Sequence, residues 1–421
     1  MRRPLPWVAG FAYICAASAG GVYESVPIDR DEWRLIDESK DLEGWFAAQS
    51  LLYTEPSSLE LVRRVGHEIR PHPTDDYIEY EFFVLRDPSP NAFALPNGHV
   101  YVHTGMLARL DDEDQLAALL AHEISHVAGH HGIIEHRATR KKTIAGMVMG
   151  SLGPWGGVIS LGLQTSVYGY SRELEQEADD RAIDLLLASR YDPHALPDVL
   201  DILGRDYEGL SPRTPTVWST HPEVRARAET SRALVAGEAR RERHGDAFEA
   251  AVMDMRAMTI EDYVQDDFPH TAVALAEALV ARYPSDLRSL NLLGDAWQGM
   301  GAQGPIDPAT LSNSDKRHNL RDRARKTRAQ RLAEALETEE GRAAYAANLQ
   351  RAEETYERVI AADATFAPAY RGLGEVYEQQ KRPRDAAEAY LDYVKQAPAA
   401  PDRSIVMGRL RLLTTMLKVG Q

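Results

Sequence analysis

The chain has 421 residues, 44% of them hydrophobic and 27% charged, the proportions of a soluble globular protein with room for two or three domains of ~100–200 residues each. A small disulfide-stapled scaffold and a chain disordered throughout are excluded. With 48 basic against 64 acidic side chains the formal charge is −16, which also excludes a generally basic nucleic-acid binder.

Arg2 and Arg3 precede an apolar stretch from Leu5 to Ala19 that ends in Ala17-Ser18-Ala19, the charged, apolar and small-x-small order of an export signal. Residues 1–19 are read as that signal. A lipidated variant would use the single cysteine, Cys15, although Ile14 stands where a small residue is wanted. Next comes a helical stretch from Asp41 to Ile69, with apolar positions at Trp45, Phe46, Leu51, Leu52, Leu59, Val62 and Val65. The period then becomes strand-like over Tyr77–Leu85, Ala92–Leu95 and Val100–His103, with Asn97-Gly98 marking a turn between the last two. From Asp111 to His131 the spacing of Leu116, Leu119, Leu120, Ile124 and Val127 is helical again, and its acidic first turn suits a helix N-terminus.

His122-Glu123-Ile124-Ser125-His126 on that helix is an H-E-x-x-H pattern, in which two imidazoles four residues apart share a face and can reach one Zn²⁺. Glu123 projects beside them, placed to take a proton from a metal-bound water and pass it to a leaving amine. A catalytic zinc site usually needs a third protein ligand. The source is Ser171-Arg172-Glu173-Leu174-Glu175-Gln176-Glu177-Ala178-Asp179, where Glu175 and Asp179 share a helical face, so that one carboxylate can bind the metal while the other holds a histidine ring.

His122-Glu-x-x-His126 with Val127 and His130, Ser171-Arg172-x-x-Glu175-x-x-Ala178-Asp179, and Thr220-His221-Pro222-x-x-x-x-Arg227 together resemble the M48 zinc metallopeptidases. The segment Asn91–Gly98 is similar to the strand that precedes the zinc helix in that family, and the resemblance spans residues 41 to 235. It implies one Zn²⁺ per chain held by His122, His126 and Glu175, with Glu123 as general base and Asp179 supporting a ligand from behind. His221 matches a histidine that either fills the fourth zinc position from a loop or stabilises the oxyanion. Arg227 is expected to anchor this region by ion pairing, and His130 and His131 to lie behind the ligands or at the surface. An edge strand at Ala92–Leu95 or Val100–His103 could hold an extended polypeptide by backbone pairing, with little sequence preference.

Ile144 to Tyr170 carries no charge and is long enough to span a bilayer. A single span would put His122 and His126 on the opposite side from Glu175. The stretch is therefore read as two short apolar helices joined at Gly153-Pro154-Trp155-Gly156-Gly157, lying over the site or dipping into a membrane surface.

From about residue 250, helix-turn-helix spacing suggests a period of 34. Tyr370, Leu373, Gly374, Tyr377, Ala386, Tyr390 and Pro398 fall at the positions of a tetratricopeptide repeat. A second first-helix carries Leu290, Leu293, Gly294 and Trp297, while its partner appears only at Ala352 and Tyr356, which implies an insertion at about 303–347. The insertion contains a basic run from Lys316 to Arg331, read as a solvated helix.

The expected architecture is mainly α with a small β-sheet: an HExxH gluzincin-type metallopeptidase domain at 20–245, then an α-solenoid of tetratricopeptide repeats at 246–421. By resemblance the protein is periplasmic and cleaves misfolded or misassembled envelope proteins. Its repeats would offer a concave face to a substrate or protein partner, with peripheral membrane contact and no nucleic acid. The rival expectations are a repeat-based chaperone with a latent protease domain and a membrane-embedded M48 peptidase.

Overall fold

The computed structural model describes residues 27–73, 75–140, 170–205, 223–266, 268–303 and 326–419. The predicted signal, His221, nearly all of the uncharged stretch and the first ten residues of the basic run lie outside them.

Helix α1 (Arg30–Ala48) and helix α2 (Pro56–Ile69) replace the single helical stretch expected from Asp41 to Ile69. Proline has no N–H and fits only a helix's first turn, so Pro56 starts a new helix, with the Glu55 carboxylate accepting from the Ser57 and Ser58 amides. Between the helices Ser50 adopts φ 56° and Leu52 bridges to Leu85. Helix α2 buries Leu61, Val62, Val65 and Ile69. At Gly66 a Cβ would stand 2.5 Å from the Phe82 ring, so the absent side chain lets α2 close on the sheet.

That sheet has three strands, β1 (Glu81–Leu85), β2 (Ala92–Ala94) and β3 (His99–His103), in the order β1-β3-β2. Strand β3 runs parallel to β1, with Phe82 beside Val100, and antiparallel to β2, with Ala94 beside Val100. It is central and its backbone is paired on both sides, so the expectation that Val100–His103 could serve as a substrate-pairing edge is corrected; β2 is an outer strand. Alternation sends Phe82, Val84, Val100 and Val102 into the main core, and Phe83, Leu85, Phe93 and Tyr101 into a second cluster with Leu42 and Phe46 of α1. The β2–β3 turn holds Gly98 at φ +98°, where a Cβ would meet the Glu79 carbonyl at 2.5 Å.

The main core continues through α3 (Thr104–Leu107), the central α4 (Glu113–Ala128), α6 (Arg172–Ala188), α7 (Ala195–Arg205) and α8 (Val224–Leu234), while α5 (His131–Arg140) follows α4 outside it. The acidic start of α4 does more than complement the helix dipole. Asp112 caps the helix by accepting from the Gln115 amide at 2.8 Å. Buried Glu113 receives Arg64 of α2 through two bonds of 2.9 and 2.7 Å and Tyr191 at 3.1 Å. Buried Asp114 accepts from the Asp192 and His244 amides.

Helix α9 (Asp246–Gln265) contributes Phe248, Ala251, Val252 and Met255 to that core and Ala257, Ile260 and Tyr263 to the next. Antiparallel helices follow: α10 (Pro269–Arg282), α11 (Leu287–Met300), the short α12 (Arg328–Ala335), α13 (Glu339–Ala362), α14 (Ala367–Gln379), α15 (Pro383–Gln396) and α16 (Arg403–Val419). A Cβ on Gly374 would lie 2.5 Å from the Tyr390 ring, and one on Gly294 2.6 Å from the Tyr356 ring. The same small-to-aromatic contact thus closes α14 on α15 and α11 on α13, although about forty residues separate the second pair. The molecule is mainly helical with one small sheet, and no described helix is long and apolar enough to cross a membrane.

Candidate active site

Helix α4 is buried along its whole length, held by Leu116, Leu120 and Ile124 in the core. Its face carrying His122 and His126 turns toward α6, whose N-terminus is capped by Ser171. The two Nε2 atoms lie 3.1 Å apart. Each is 3.5–3.6 Å from an oxygen of the buried Glu175 carboxylate. Donors bound tetrahedrally at ~2.0–2.2 Å would be separated by about 3.3–3.6 Å, so the spacing and the nitrogen-and-carboxylate chemistry suit a zinc ion. His122, His126 and Glu175 form the one group of metal-ligating side chains that converges in this way among the described residues. Glu123, 1% exposed, follows His122 on the same helix.

Each histidine is oriented from behind by a different partner. His122 Nδ1 lies 3.0 Å from Asp179 Oδ1. A neutral imidazole that offers Nε2 to a metal keeps its proton on Nδ1 and so donates to that carboxylate. His126 Nδ1 instead faces His131 Nδ1 at 2.9 Å, which makes His131 the acceptor and leaves its proton on Nε2, 3.7 Å from Glu177. The local chain explains how His131 reaches this place. Gly129 ends α4, a Cβ there would stand 2.4 Å from His131 Nε2, and His130 takes φ 54° to reverse the path. The Tyr170 ring stacks on His126 at 3.9 Å and 14°. Ala94, Leu95 and Pro96 at the end of β2 border a small pocket beside His126 and Tyr170.

Arg227 of α8, 6% exposed, anchors the carboxylates as expected. Its Nε and one terminal nitrogen donate to the two oxygens of Asp179 at 2.7 Å each, and its other terminal nitrogen contacts Glu175. Burial alone would raise the Asp179 pKa, but the guanidinium and His122 outweigh it and hold the carboxyl well below its usual range. The sequence places His131 behind the ligands or at the surface without naming its partner, and it assigns no role to Tyr170; the signal for the His131 contact is Gly129, small where a ring folds back.

A buried helix carrying His-Glu-x-x-His, faced by a carboxylate from a second helix and braced by an arginine, is the donor arrangement of a metallopeptidase. The chain belongs to peptidase family M48, whose profile matches residues 60–235. Over 190 residues it is 30% identical to the putative beta-barrel assembly-enhancing protease of Vibrio cholerae, covering 42% of this chain and 39% of that protein. The beta-barrel assembly-enhancing protease of Escherichia coli is 29% identical over 194 residues, 43% of this chain and 39% of its own length. The mitochondrial metalloendopeptidase OMA1 of Schizosaccharomyces pombe is 31% identical over 255 residues, 53% of this chain and 72% of its own. The chain thus spans about two fifths of the length of the beta-barrel assembly-enhancing relatives.

Proposed function

We propose that this protein is an exported, periplasmic zinc endopeptidase that cuts misfolded or misassembled envelope polypeptides. The observation that carries the reading is the convergence of His122, His126 and Glu175 within one coordination sphere, with Glu123 beside them. Relatives named as beta-barrel assembly-enhancing proteases and as a mitochondrial metalloendopeptidase support the endopeptidase reading. In this reading the helical hairpins from α10 to α16 are tetratricopeptide repeats that recruit substrate or a protein partner.

His122, His126 and Glu175 would hold the metal, which supplies a Lewis acid and a water ionisable near neutral pH. Glu123 accepts the proton of the attacking water and returns it to the leaving amide nitrogen. Asp179 and His131 fix the proton positions of the two ligand imidazoles. Arg227 offsets the charge of the two buried carboxylates. The outer strand β2 aligns an extended polypeptide by backbone pairing. His221 acts either as a fourth ligand that shuts the site or as a donor to the oxyanion.

Metal content and cleavage of an unfolded polypeptide, measured on wild type, Glu123→Gln and Glu175→Gln, test the proposal. Glu123→Gln keeps its zinc and loses at least ~10²-fold in rate, whereas Glu175→Gln loses both metal and activity. Full activity in Glu123→Gln overturns the reading.

A further inference from the structure

Three histidine rings and one tyrosine ring meet at the ligand cluster, and the tyrosine takes no part in the chemistry proposed above. Tyr170 lies flat on His126, with ring centroids 3.9 Å and planes 14° apart. That is closer than the ~4.5–7 Å usual for aromatic pairs. The other rings approach His126 differently: His122 meets it at 87° and His131 at 78°. The stacked pairs of the sheet, Phe83 with Tyr101 and Phe93 with Tyr101, keep 5.0 and 5.1 Å.

The chain places the ring there by simple means. Tyr170 directly precedes Ser171, the cap of α6, and the Glu175 amide donates to the Ser171 carbonyl at 3.0 Å. One helix start therefore brings two groups to one imidazole. Glu175 reaches its edge, 3.5 Å from Nε2, while Tyr170 covers its face. Tyr170 is 6% exposed and His126 1%, so water does not weaken the contact. The two ligand histidines also differ in what stands behind them. His122 Nδ1 has the Asp179 carboxylate at 3.0 Å, whereas His126 Nδ1 faces another imidazole.

We propose that Tyr170 strengthens metal binding by holding its π face against the His126 imidazole, a positioning role that rests on the metal site proposed above. An imidazole bound through Nε2 to a divalent ion loses electron density and becomes partly cationic. Positive charge over the face of a tyrosine is attracted by the ring quadrupole, and the attraction is largest where water is excluded. Asp179 supplies a compensating charge to His122; the Tyr170 face supplies it to His126. Without the ion the two rings are neutral and the contact is ordinary packing. The gain thus belongs to the metal-bound state alone, which separates this role from a purely structural one.

The test measures zinc affinity of the full-length protein by chelator competition at pH 8, where a histidine with the ordinary pKa of ~6.5 is neutral and protons do not compete. Tyr170→Phe keeps the π face and should bind within about threefold of wild type, whereas Tyr170→Leu should bind roughly tenfold more weakly. Placing 4-fluorophenylalanine or pentafluorophenylalanine at position 170 by nonsense suppression keeps the ring and drains its face of electron density. Affinity should fall in that order from Tyr170→Phe. The metal-free melting temperature of the same variants should stay level or rise, because an electron-poor ring stacks on a neutral imidazole at least as well; this also shows that they fold. Unchanged affinity in Tyr170→Leu, or equal affinity across the fluorinated series, overturns the proposal. Should Tyr170→Leu fail to fold, the fluorinated series decides by itself. A wild-type chain that binds no zinc overturns the metal site and this role together, a result distinct from zinc binding that fluorination leaves unchanged.

Discussion

Arg227 shows how closely the site's charges are matched. It is buried with Glu175 and Asp179, and removing one member of a buried ion cluster leaves the others desolvated without compensation. Arg227→Met should therefore cost about 3–5 kcal/mol of stability, read from the denaturation midpoint in urea, and adding Asp179→Asn should return part of the loss. His131 acts on a different quantity. If it fixes the proton on His126, His131→Leu should weaken zinc binding ~10–100-fold in a chelator competition. His131→Asn, whose amide oxygen can accept the same proton, should recover most of the affinity. Equal affinity in wild type and His131→Leu would remove His131 from the ligand support. His122, Glu123, His126, Glu175 and Asp179 were legible in the sequence because their spacings of three and four residues are helical spacings. The partnership of His131 was not, since it depends on a reversal at His130 that only the backbone shows.

Among the elements, the tightest constraint lies where a glycine meets a ring. Gly374 on α14 accommodates Tyr390 of α15, as Gly294 on α11 accommodates Tyr356 of α13. Gly374→Ala should destabilise the protein by about 1–3 kcal/mol through overpacking, although alanine is the better helix former. Pairing it with Tyr390→Leu should give a smaller loss than the two single changes added. A thermal melt of Gly374→Ala at or above wild type would show that the helices can separate without cost. The periodicity of these helices and the late position of the Tyr356 helix were readable from residue spacing. The division of the first helical stretch was readable too, from Pro56, but apolar periodicity alone ran through it. The order β1-β3-β2 was not readable, because strand pattern says nothing about which strand lies in the middle.

At the scale of the molecule, charge is concentrated at the start of α4, where Glu113 ties α2, α4 and the segment around Arg190 and Tyr191 together. Burial would raise the Glu113 pKa, but Arg64, Tyr191 and Arg190 reverse this and bring it to about 2, from an ordinary 4.5. A depressed folded-state pKa means that the contribution is complete above pH 4.5 and fades as the pH falls from 4.5 toward 2. The melting temperature should drop across that window, and Glu113→Gln, less stable at neutral pH, should drop less steeply. Parallel profiles for the two would show that Glu113 has no part in the acid loss.

Helix α9 has one end in each of two cores. Met255 and Ala257, two residues apart, belong to different cores, so neither can come apart without stripping apolar surface from the other. Calorimetry should record a single cooperative transition for the two cores, not one for each. The seam after Gly245 is then a poor place for modules to be exchanged: a chain ending there leaves the seats of Phe248, Val252 and Met255 open to water. The first hairpin should therefore unfold together with the core that holds His122 and His126.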